Sequence, residues 1–120
     1  MRVLESDWKK FKELYKIALD RFCLRVLADA ETIAEHDARS PHARYRTLYQ
    51  LMRDRDKDIV RTFDRYSRSS ALMALETMVS HDLLTDAELS VLSDEAQAML
   101  ADVVRRPHKI KWAEEGVSHD

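Results

Sequence analysis

Glycine occurs once in this 120-residue chain and proline twice. Average usage would place about eight glycines and six prolines in that length. Glycine supplies the positive-φ positions of tight turns, hairpins and phosphate-cradling loops. A chain almost without it is confined to helices joined by short links, so the fold expected is all-α. The same scarcity excludes a Gly-rich phosphate loop, a dinucleotide-binding turn and a nucleophile elbow.

The apolar spacing gives the order of helices. Leu4, Trp8, Phe11, Tyr15, Ala18, Phe22, Val26 and Ile33 recur in steps of three and four, predicting an amphipathic helix from about Val3 to Glu35. At 1.5 Å per residue it is roughly 50 Å long and needs a partner along its length. Ser40 and Pro41 are a natural N-cap and first helical residue. A second helix follows, with Tyr45, Leu48, Tyr49, Met52, Ile59, Val60, Phe63 and Tyr66 expected on its inward face. The short link makes the two helices a long antiparallel hairpin. A break is expected at Ser67–Ser70, then a third helix ending near Asp82. Thr85 and Glu88 have capping-box spacing, and Ser93 caps a last helix expected to reach Arg106. This divides the chain into a helical bundle over 1–106 and a tail over 107–120.

Charge is segregated. Residues 39–68 hold nine Lys or Arg against four Asp, whereas residues 69–104 hold seven acidic residues and no Lys or Arg. The plainer reading sets the basic second helix beside the acidic third segment. The other is a two-faced molecule whose basic face, with Arg61, Arg65 and Arg68 at i, i+4 and i+7, meets a partner. Nucleic acid is a poor fit, because Asp54, Asp56, Asp58 and Asp64 interrupt that helix and the net charge is −2. The amino terminus lacks an apolar leader and no apolar run could span a bilayer, which predicts a cytoplasmic protein without membrane contact.

The second apolar stripe lapses at Arg53–Asp58, at the level where Arg25 interrupts the first. A buried or half-buried polar layer of Arg25, Asp29, Arg55 and Asp56 is therefore expected between the helices. It serves either as an ion-pair layer that sets register or as a small polar pocket. Cys23, the sole cysteine, reads as a core or boundary residue. In the tail, Ile110 and Trp112 alternate with Lys109 and Lys111. They could anchor an interface or fold back on the chain's own core.

The five histidines show no zinc-protease or di-iron spacing, so no metal site, cofactor or catalytic residue is assigned. The order His36, His81-Asp82, Asp102 resembles that of the HD-type metal-dependent phosphohydrolases, which are all-α. That resemblance would imply convergence of the four residues on a divalent metal. Phe63–Ser70 with Leu83–Leu89, and the Trp8-x-x-Phe11 opening, resemble short uncharacterised bacterial all-α proteins. Leu75–Leu92 is similar to small helix-turn-helix oligomerisation modules, with His81-Asp82 where those carry glycine. The chain reads as a small, non-catalytic interaction or assembly subunit, self-associating or meeting a protein partner. A nucleic-acid-associated subunit and a metal-dependent phosphohydrolase are the alternatives.

Overall fold

The computed structural model describes residues 4–115. They form five helices and, among the described residues, no strand: α1 (Glu5–Glu35), α2 (Pro41–Phe63), α3 (Ala71–Ser80), α4 (Asp86–Leu89) and α5 (Asp94–Leu100). The fold is all-α, as the glycine count dictates. The molecule is elongated, 60 × 23 × 22 Å, because 31 residues of α1 alone span about 47 Å.

Local signals set most boundaries. Ser40 accepts from Ala43 N at 3.1 Å, and Pro41 opens α2 at the position where its missing N–H costs nothing. Thr85 and Glu88 form the reciprocal capping box, and Ser93 caps α5. The turn after α3 needs a left-handed residue, and with no glycine there Asp82 takes it at φ 58°. Leu83 N and Asp82 N close the turn on Met78 O and Val79 O. Arg25 donates to the carbonyls of His81 and Asp82, and Arg105 holds the Asp82 carboxylate, so two arginines offset the backbone cost.

The core lies at one end. Phe11, Leu14, Ala18 and Phe22 of α1 meet Phe63 and the apolar faces of α3, α4 and α5, with Leu75, Met78, Leu83 and Leu84 fully buried. Arg21 extends from α1 to Glu88 in a two-pronged pair at 2.6 and 2.8 Å and also donates to Leu83 O. That pair, with the capping bond from Thr85, holds the Glu88 carboxyl down at about 2. A folded-state value below the ordinary one means the pair stabilises fully above pH 4.5, and its contribution disappears as pH falls toward 2. Glu88→Gln should therefore narrow the stability difference between pH 6 and pH 3 in urea titrations. An unchanged difference would mean the pair adds nothing.

Three expectations are corrected. The last helix ends at Leu100, not Arg106. From Val103 the chain is irregular, and Arg105 crosses to Asp82, Asp86 and the Leu84 carbonyl while Arg106 N binds Ser80 O at 2.6 Å. Phe63 is buried and Ile59 packs on the core as expected, but the rest of the inward face of α2 is Ala43, Thr47, Leu51, Arg55 and Thr62, which leaves Tyr45, Tyr49, Met52 and Val60 about half exposed or more. Cys23 is exposed on α1. The basic α2 does lie beside α3, while the ion pairs of the acidic segment among the described residues come from α1 through Arg21 and from the tail through Arg105.

Candidate functional site

Two features of the hairpin stand out, one on each side. The first is a polar junction where α1, the end of α2, the end of α3 and the tail meet. Arg55, the fourth inward residue of α2, is 8% exposed and gives its Nη1 to Asp58 Oδ2 at 3.1 Å. His108 follows Pro107 in the tail and brings its Nε2 to the same Oδ2 at 3.0 Å. His81, the residue after α3, lies against His108 with ring centroids 4.6 Å apart and planes tilted by 36°, and meets Phe22 edge-on at 6.2 Å. Arg25, Asp29 and Arg55 line the adjoining cavity of about 170 Å³, together with Phe22, Val26 and Leu83.

Burial, then the neighbouring His108, pushes the His81 imidazole below its ordinary pKa. Burial, then Arg55, does the same to His108, against the opposing pull of Asp58. Two imidazoles and a carboxyl group sit together, with candidate ligand atoms all within 4.8 Å of one another. Among the described residues this is the one group of three or more such side chains arranged to hold a metal ion.

Of the expected buried or half-buried layer, Arg25, Asp29 and Arg55 line one cavity, but Arg25 is exposed at its mouth and Asp56 is exposed on the outer face. Asp58, three residues on from Arg55, is its partner because that step returns to the same helix face. The participation of His81 and His108 has no local signal: they lie 27 residues apart, on the end of α3 and in the tail. The HD-type constellation does not form. His36 lies at the hairpin turn, stacked on Trp112, eleven residues along α1 from Arg25 and so about 16 Å from the junction. Asp82 turns to Arg105, and Asp102 is exposed.

Arg61, Arg65 and Arg68 do not form one helical face, because α2 ends at Phe63. Arg61 stays on its last turn, Arg65 lies against Met73 Sδ, and Arg68 pairs with Glu5 at 2.8 Å while covering Trp8. Ile110 and Trp112 are half-buried within the same chain. Trp112 stacks between His36 and Arg39, Ala113 N donates to Thr47 Oγ1 at 2.9 Å, and Glu115 accepts from Ser40 N at 2.7 Å. The tail therefore packs in cis along the hairpin.

The second feature is what that packing leaves open. The tail meets α2 at Thr47 and Asp58, and the α3–α5 segment meets α1 at Asp7, Arg21 and Arg25. At about 100° per residue, these positions share one side of the hairpin. The opposite side carries Leu27 and Ala30 of α1 with Leu48 and Met52 of α2, and Tyr45 stands at its edge, in a groove shared with Lys111 and Ala113 of the tail. Leu27, Tyr45 and Met52 are 64%, 66% and 51% exposed. The exposed charges beside it are mostly acidic on α1 (Asp20, Glu31 and Glu35, with Lys16 among them) and mostly basic on α2 (Arg46, Arg53 and Lys57, with Asp56 among them). Among the described residues no helix is long and apolar enough to cross a membrane. No protein-family model, curated protein or solved structure matches this chain.

Proposed function

We propose that the protein is an assembly subunit that pairs through the open side of its hairpin with a second copy of itself. The observation that carries this reading is the exposure of Leu27 and Met52 on the side away from the short helices, with exposed Tyr45 at its edge beside the tail. Two helices alone cannot enclose an apolar seam, and hairpins are ordinarily completed by further helices. Between Lys12 and Glu35 the open side is about 35 Å long and two helices wide. That is of the order of the 800 Å² per partner that stable interfaces bury.

A second copy is favoured by charge. A twofold arrangement lays α1 of one protomer over α2 of the other, which sets Asp20, Glu31 and Glu35 against Arg46, Arg53 and Lys57. Such an isologous contact satisfies both edges with one surface. Light scattering on the size-exclusion peak should give a mass near twice the chain's 14.1 kDa. Leu27→Glu with Met52→Glu should halve that mass while leaving far-UV circular dichroism intact, because both side chains are exposed in the single chain. A wild-type protein that stays monomeric at high micromolar concentration overturns the proposal, as does a double variant that keeps its dimeric mass.

A further inference from the structure

We propose that Asp58, His81 and His108 bind a divalent transition metal of the zinc class, as three protein ligands with one position left open. The ligand set comes from three separate elements that independent contacts hold in place. Asp58 sits on α2 one turn before its end, steadied by Arg55. His81 closes α3, and its own carbonyl is held by Arg25 at 2.8 Å. His108 is delivered by Pro107, just after Arg106 N has fixed the tail to Ser80 O.

The distances are near those a metal requires. Zinc lies about 2.0–2.2 Å from nitrogen and carboxylate oxygen, which places neighbouring tetrahedral ligands about 3.3 Å apart. His108 Nε2 and Asp58 Oδ2 are 3.0 Å apart. The ligand atoms of the group all lie within 4.8 Å of one another, so closure asks for an inward movement of at most about 1.5 Å by one ligand, within reach of a side-chain rotation. Arg55 and His108 both meet Asp58 at Oδ2. Arg55 would stay beside the ligating carboxylate and orient it, as hydrogen-bonded outer partners do at metal sites.

Donor chemistry sets the class. Two imidazoles and one carboxylate suit zinc, iron or nickel better than calcium or magnesium, which prefer all-oxygen shells. The like charges of Arg25 and Arg55 oppose a cation, and Asp29 on the cavity wall and Asp58 paired with Arg55 offset them. Phe22, Val26 and Leu83 give the cavity an apolar wall, and His108 stands at its exposed rim. The open position faces that cavity, of about 170 Å³, and has room for a water molecule or a small anion. Bound metal would also tie the tail to α2 and α3 at one point.

The test uses the full chain, stripped with a chelator and dialysed. Cobalt(II) should titrate to one equivalent per chain with the intense visible bands of a four-coordinate site, and zinc should displace it. The zinc dissociation constant, measured by competition with a chromophoric chelator, should lie below about 10 μM. His81→Ala, His108→Ala and Asp58→Asn should each weaken binding at least about 100-fold, and His42→Ala should not. Because those variants could disturb the tail, the wild-type protein gives a second readout. Paramagnetic cobalt should broaden the ring signals of His81 and His108 before those of His36 and His42. Weaker zinc binding, binding undiminished in both histidine variants, or broadening centred on other histidines would overturn the assignment.

Discussion

Phe22→Ala should destabilise the protein by about 3–5 kcal/mol, because it empties the wall between the apolar core and the polar junction. Phe22 is 3% exposed and stands where those two regions meet. One edge packs T-shaped on Phe63 at 5.8 Å, another on His81 at 6.2 Å, and its ring lines the cavity beside Arg25 and Arg55. Truncation removes the transfer free energy of the ring and leaves a void that joins the existing cavity, so collapse cannot recover much of it. Phe22→Leu keeps most of the volume and should cost under about 1.5 kcal/mol. Urea unfolding at one fixed protein concentration reads both, the concentration being held because association adds to apparent stability. Equal losses in the two variants would mean that the site relaxes around the smaller side chain and that the ring is not a structural wall.

The dependence on Phe22 is legible in the sequence, and the chemistry next to it is not. Phe22 belongs to a stripe with helical period, and the same period gives α1 its length and its inward face. The Ser40-Pro41, Thr85-Glu88 and Ser93 signals each act within four residues, so a single sequence suffices to read them. The inward face of α2 departs from its apolar spacing for a physical reason. That face includes Thr47 and Arg55, which are polar, while the tyrosines and Met52 point outward. Apolar periodicity tracks the core only where burial is the sole use of apolar residues. A helix with an apolar outer row breaks that link, and here the outer row includes the surface proposed to meet a second copy.

The polar layer illustrates the same limit from the other side. Arg25 and Arg55 follow from matching levels across an antiparallel hairpin, a regular geometry that sequence spacing can reproduce. Asp58 in place of Asp56 is a matter of helix phase, and it follows from the same shift of the α2 face. His108 arrives through a tail whose path depends on Arg105, Arg106 and Trp112 finding partners far away in sequence. No local pattern encodes such a path. Cations near a helix C-terminus complement its dipole, which is why Arg105 and Arg106 predict a longer α5. They instead satisfy the carboxylates and carbonyls around the α3–α4 junction, where more partners are available.

Asp7→Ala should cost about 2–4 kcal/mol, although position 7 looks like an ordinary acidic residue in the first turn of a helix. Asp7 is 3% exposed, and its two oxygens accept from Ser93 N at 2.7 Å and Ser93 Oγ at 2.6 Å. The Ser93 hydroxyl in turn accepts from Ala96 N at 3.2 Å. One carboxylate on α1 therefore secures the N-cap of α5, 86 residues away, and fixes the short helix against the long one. Asp7→Asn retains an acceptor for Ser93 N–H but loses the charge assistance and should fall between alanine and wild type. Ser93→Ala removes the hydroxyl end of the same relay. Asp7→Ala and Ser93→Ala together should then cost less than the sum of the two by about 1 kcal/mol, because each single change already breaks the shared link. Additive losses in the double-mutant cycle would show that Asp7 and Ser93 act separately. The position of α5 would then rest on Ala96, Leu100 and their apolar contacts alone.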